Sequence, residues 1–190
     1  MMNRRDALSS IALLVGGTLV GAEAFLTGCK TTGKKEGLFA ADDIAMLDEI
    51  GDTILPTTAS SPGAKAAKIG EFMKVIVTDC YDDGDQKTFT DGIGKLNEAS
   101  KKKYDKSFME LAQNQKHDLL VMLDAEVKDF NGKRKDNDPH HYFGLMKQLT
   151  VWGYFTSEVG AQKALRYLPV PGKYVGDLPY KKGDKAWALS

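Results

Sequence analysis

The chain has 190 residues, 26 lysines and arginines against 26 aspartates and glutamates, and two cysteines. That length bounds it to one domain with room for a real core. The neutral balance argues against nucleic-acid binding and against an electrostatic clamp on a membrane, both of which need surplus cations.

The first stretch, residues 1–28, has the layout of an export signal. Arg4 and Arg5 supply the charged start, and a run of apolar and small residues follows from Ala7 to Val20. Leu26-Thr27-Gly28-Cys29 then matches a bacterial lipobox, in which small residues admit the peptidase and the Cys29 thiol takes the lipid. An uncleaved membrane helix is the competing reading, but Glu23 would then lie in hydrocarbon. Adjacent arginines favour the twin-arginine route over general export, although Ala7 stands where that pattern prefers a large apolar residue. The mature chain begins at Cys29 on the exported, periplasmic side, and the lipid rather than surface charge holds it to the membrane. With Cys29 acylated, Cys80 has no partner for a disulfide.

Residues 29–37 read as a flexible tether, and the domain proper covers 38–190. A helix is expected over Ala41–Leu55, with Ile44, Leu47, Ile50 and Ile54 on one face and Pro56 ending it. The next helix, from about Ala66 to Tyr81, carries Ile69, Phe72, Met73, Ile76, Val77 and Cys80 at helical spacing, which predicts a buried, unreactive Cys80. Asp82-Asp83-Gly84-Asp85 lacks the alternating ligands of a calcium loop and reads as a turn with a helix cap. A third helix follows over roughly Gln86–Ser100, with Phe89, Ile93 and Leu96 inward. Ser107 caps a short turn holding Phe108 and Leu111. A helix over Gln115–Phe130, capped by Asn114, buries Leu119, Leu120, Leu123, Val127 and Phe130. Tyr142–Thr156 is apolar nearly all round, which marks a central helix or one covered by a partner.

From Leu165 the prolines exclude helix. Residues 165–190 read as an extended tail with interleaved aromatic residues, lying on its own domain or on another protein. If another chain meets this region, Trp152, Tyr154, Tyr167, Pro169, Pro171 and Tyr174 are the candidate contacts. The fold class is therefore all-α: a single domain of five to six helices with an extended proline- and aromatic-rich tail.

No catalytic constellation emerges. There is no dinucleotide fingerprint, phosphate loop, haem-attachment motif or nucleophile elbow. His117, His140 and His141 are the three histidines, and their spacing is poor for a shared metal. A small metal enzyme built on them is the third-ranked reading, behind an accessory subunit and a stand-alone lipoprotein. No metal ligands and no catalytic residues are assigned.

The chain resembles the gluconate 2-dehydrogenase subunit 3 family. The resemblance rests on residues 47–56 (Leu47-Asp48-Glu49-Ile50-Gly51-Asp52-Thr53-Ile54-Leu55-Pro56), Pro62-Gly63-Ala64-Lys65-Ala66-Ala67 with Phe72, Leu149-Thr150-Val151-Trp152-Gly153-Tyr154-Phe155-Thr156-Ser157-Glu158 and Tyr167-Leu168-Pro169-Val170-Pro171-Gly172. It implies a small subunit beside a large flavoprotein of the glucose-methanol-choline type, often with a cytochrome c subunit. It further implies that FAD sits in that partner, which oxidises a sugar, sugar acid or alcohol, and that the small subunit serves export and assembly. The lipobox departs from members with only a cleavable signal and adds an anchoring role. Substrate identity would lie in the partner.

Overall fold

The computed structural model describes residues 37–135, 138–170, 172–173 and 175–188. The expected export signal with Arg4 and Arg5, the expected lipidation site Cys29, and the tail residues Pro171 and Tyr174 lie outside them.

Five α-helices carry the domain: α1 (Ala41–Ile54), α2 (Ile69–Cys80), α3 (Asp83–Tyr104), α4 (Gln113–Lys133) and α5 (Tyr142–Thr156). Short 3₁₀ turns at Ala64–Ala67 and Phe108–Glu110 and a π-helical turn at Gly160–Ala164 link or follow them. Two isolated bridges are the sole β-type pairings among the described residues, so the all-α expectation holds. No helix among them is long and apolar enough to cross a membrane.

Helix α5 packs against each of the other four α-helices. Its Phe143, Leu145, Met146, Leu149 and Tyr154 are buried, while Val151 and Trp152 are 40% and 50% exposed. The greasy helix is therefore central along most of its length and open at one place near its end. The other helices turn the expected residues toward it: Leu47 and Ile50 of α1, Met73 and Val77 of α2, Phe89 and Leu96 of α3, Leu119 and Leu123 of α4.

Several boundaries move, each for a local reason. The second helix starts at Ile69, because Lys68 takes a left-handed conformation (φ 53°) after the 3₁₀ turn. Helix α3 begins just after Asp82, whose carboxylate accepts the Asp85 N–H at 2.8 Å, so the acidic run is the cap the sequence suggested. The same helix runs on through Lys101–Lys103 to a left-handed Asp105. Helix α4 starts before Asn114: Gln115 reaches back to accept the Ala112 N–H at 3.1 Å. It also ends three residues beyond Phe130, which is 37% exposed rather than buried.

Cys80 is exposed, contrary to the stripe that predicts it buried. Its angle around α2 is right, but it is the last residue of the helix and has run past the core. Tyr81 packs against the core at that level instead.

Close approach at α5 relies on two glycines. A Cβ on Gly92 of α3 would lie 2.5 Å from Tyr142 Cβ, and one on Gly153 would enter the Phe72 ring. The Phe72 ring sits there edge-on to Trp152, with centroids 5.4 Å apart. Gly92→Ala is expected to destabilise the domain by about 2 kcal/mol through overpacking, read as a lower thermal midpoint. Gly94→Ala, where a methyl meets nothing within 4 Å, is expected to raise the midpoint slightly through better helix propensity.

Candidate functional site

The residues from 47 to 64 make internal contacts. Asp48 accepts the Gly70 N–H at 2.8 Å, satisfying an otherwise orphaned donor at the start of α2. Glu49 accepts from Lys116 at 2.8 Å and from Lys65 at 3.1 Å, and Lys116 also lies over the Phe108 ring. The Lys116 hydrogen bond is the main force holding the Glu49 carboxyl below its ordinary value, against the opposing effect of burial. Thr53 donates to the Glu49 carbonyl at 2.8 Å. The loop after α1 is fixed by Gly63 N–H to Thr57 Oγ1 and by Ala64 N–H to the Leu55 carbonyl.

Tyr154 belongs to this interior and is not a surface contact. It is 3% exposed, and its hydroxyl donates to the Pro62 carbonyl at 2.5 Å beside Ser61 Oγ at 2.6 Å. A buried phenol needs such partners, which is why it lies beneath the loop.

The histidines occupy two different regions. His117 is exposed on α4 beside Asp118. His140 and His141 border two shallow clefts, one with Phe130, Lys133 and Arg134, the other between α4 and α5. His141 stacks on Tyr142 with ring centroids 4.6 Å apart, and its Nδ1 accepts the Phe143 N–H at 3.3 Å as the cap of α5. Burial lowers its pKa from the ordinary 6.5, Glu126 opposes that, and Lys95 reinforces it. Burial also pushes the Tyr142 phenol up to about 12, so it stays protonated. Among the described residues no three His, Cys, Asp or Glu side chains gather as a metal site would require.

What stands open is apolar. Trp152 and Val151 of α5, Val75 of α2, and Tyr167, Leu168 and Val170 after the π turn are each at least 40% exposed. Pro169 lies among the last group and is exposed too. Of the candidate contacts, Trp152, Tyr167 and Pro169 are thus at the surface, and Tyr154 is withdrawn from it. Val75 and Val170 were not anticipated as candidates. The signal for Val75 was available, since it falls off the buried stripe of its helix.

The family model described as gluconate 2-dehydrogenase subunit 3 matches residues 41–172, well over half of the chain. The chain belongs to the gluconate 2-dehydrogenase subunit 3 family. Neither a curated protein nor a solved structure matches it. The family is that of an accessory subunit of gluconate 2-dehydrogenase, and its name implies a dehydrogenase complex. In this subunit-3 chain part of the resemblance serves packing: Asp48, Glu49, Gly153 and Tyr154 each hold one element against another, while Trp152, Tyr167, Leu168 and Val170 stand exposed.

Two expectations concern pH. The lowered Glu49 pKa stabilises the fold fully above 4.5, the ordinary value, and that contribution is lost as the pH falls through the lowered one. Glu49→Gln is expected to cost about 1 kcal/mol at neutral pH, with the gap to the wild type closing in acid denaturation series. For His141, the neutral ring is the one that caps, so stability is full above 6.5 and declines as the pH falls through the lowered value. Asn caps without titrating, so His141→Asn is expected to remove that component from thermal midpoints measured over about pH 5 to 8.

Proposed function

We propose that the chain is the small subunit of a periplasmic, membrane-anchored flavin dehydrogenase of the glucose-methanol-choline type. In this reading the large subunit binds FAD and oxidises a sugar, sugar acid or alcohol, and a cytochrome c subunit is a candidate third member. The small subunit accompanies the folded flavoprotein through export and supports its assembly, and the lipid on Cys29 ties the complex to the membrane. Family membership over residues 41–172 is the observation that carries the proposal.

Three further features support it. The twin Arg4-Arg5 suits a route that carries folded cargo. The motif residues Asp48, Glu49, Gly153 and Tyr154 act in packing, in keeping with a subunit that supports a catalytic partner. Val151 and Trp152 of α5 and the apolar side chains Tyr167, Leu168 and Val170 of the tail remain uncovered, and such surface suits a subunit contact. A stand-alone lipoprotein is the competing reading, favoured by the way the end of the tail bonds to its own domain.

The test is a pull-down from native membranes in mild detergent with a C-terminally tagged chain, followed by an absorbance scan. A co-purifying yellow flavoprotein is expected; a colourless, solitary chain would overturn the proposal. Cys29→Ser is expected to move the flavoprotein from the membrane to the soluble fraction.

A further inference from the structure

The segment from 165 to 188 leaves the domain and returns to it. At its base the Arg166 N–H donates to the Ala186 carbonyl at 3.0 Å, and the Ala188 N–H donates to the Arg166 carbonyl at 2.9 Å. The Arg166 guanidinium lies over the Trp187 ring, 4.3 Å from its centroid, and Ala188 is 8% exposed. Lys185 adds hydrogen bonds to the Lys163 carbonyl and to the Ser60 carbonyl. Two ends far apart in sequence are therefore held together by backbone pairing, a cation–π contact and a lysine latch.

Between those ends the loop turns apolar side chains to solvent. Val170 and Tyr180 are 78% and 75% exposed, and Leu168, Val175 and Leu178 are each more than 40% exposed. A loop that served only to wrap its own domain would bury these groups, because each exposed aliphatic forgoes burial energy. The loop also concentrates charge. From 165 to 188 there are five cations against Asp177 and Asp184, in a chain that is neutral overall. An apolar tip within a net positive segment complements an apolar hollow with an acidic rim.

We infer that this stapled loop is a preformed docking arm, and that its occupant is an acidic-rimmed apolar surface on the dehydrogenase's large subunit. The inference rests on the subunit reading above and adds where the contact lies and what chemistry receives it. A protein occupant is favoured over a lipid surface because the first arm of the loop, through Gly172, falls within the match to a family of dehydrogenase subunits. Closing the base in advance reduces the ordering cost at the moment of binding.

The test uses full-length chains and, as probe, the flavin-bearing protein recovered in the pull-down, identified by absorbance and peptide masses and stripped of small subunit. Val170→Asp and Tyr180→Asp place a like charge at the proposed contact, and both sites are too exposed to disturb the core. Each is expected to weaken binding at least tenfold with an unchanged thermal midpoint, and added salt is expected to weaken the wild-type complex. Trp187→Ala, which opens the base, is expected to weaken binding while leaving the helical far-UV spectrum intact. Wild-type affinity in both aspartate variants would overturn the docking arm and leave the subunit reading standing. Recovery of no flavoprotein with the wild type would overturn both. In a Cys29→Ser background, which removes the proposed lipid anchor, loss of retention on phosphatidylglycerol–phosphatidylcholine vesicles by the aspartate variants, with flavoprotein affinity unchanged, would show that the loop meets lipid and would overturn the inference.

Discussion

The fold depends on burying α5 against four neighbours at once. A helix apolar on most sides cannot sit at a surface, so the other helices must close around it. Closing brings backbones near one another, and that constrains Gly92 and Gly153 to lack a side chain. It also submerges the Tyr154 hydroxyl, which must then find hydrogen-bond partners. They lie in the loop after α1, at the Pro62 carbonyl, which accepts its proton, and the Ser61 hydroxyl. Neighbouring Ser60 accepts from Lys185, so one demand for burial passes from the central helix through a surface loop to the end of the tail.

The same demand for packing accounts for the acidic residues of the first family motif. Asp48 and Glu49 are neighbouring carboxylates of that motif. In the fold Asp48 is used by the first turn of α2, and Glu49 by two lysines from different elements. The Lys116 hydrogen bond holds the Glu49 carboxyl below its ordinary value, so that group stays ionised near neutral pH. The polar network secures the α1–α2 corner, leaving the exposed apolar groups as the part of the molecule with no internal duty.

Helical periodicity made most of the core readable. Leu47, Ile50, Phe89, Leu96, Leu119, Leu123 and the span of α5 follow directly from three- and four-residue spacing, because angular position decides burial in mid-helix. Angular position fails at helix ends. Cys80 points the right way and still reaches solvent, and Phe130 drifts out as α4 overshoots. Start points also moved where a cap was not the expected residue, as with the Gln115 side chain ahead of α4. Tyr154 was legible as apolar but not as internal, since its hydroxyl partners lie more than ninety residues away. The Arg166–Trp187 staple was out of reach for the same reason: a cation and a ring separated by some twenty residues of irregular chain leave no periodic trace.

The distribution of order within the tail bears on function. A tail without internal duty would gain nothing from fixed ends, since surface segments tolerate disorder at little cost. Here the ends are fixed by backbone hydrogen bonds and a stacked guanidinium, yet the middle exposes Val170 and Tyr180 almost fully. Order at the base combined with exposure at the tip is unfavourable for an isolated domain on both counts. It restricts chain entropy and leaves apolar area in water. Both costs are offset if the tip is covered in an assembly, because a pre-closed loop loses less freedom on binding and the apolar area then leaves solvent. A subunit whose motif residues in α1 and α5 serve packing contributes to such an assembly through shape, and among the described residues the stapled tail is a part that packing alone leaves unexplained.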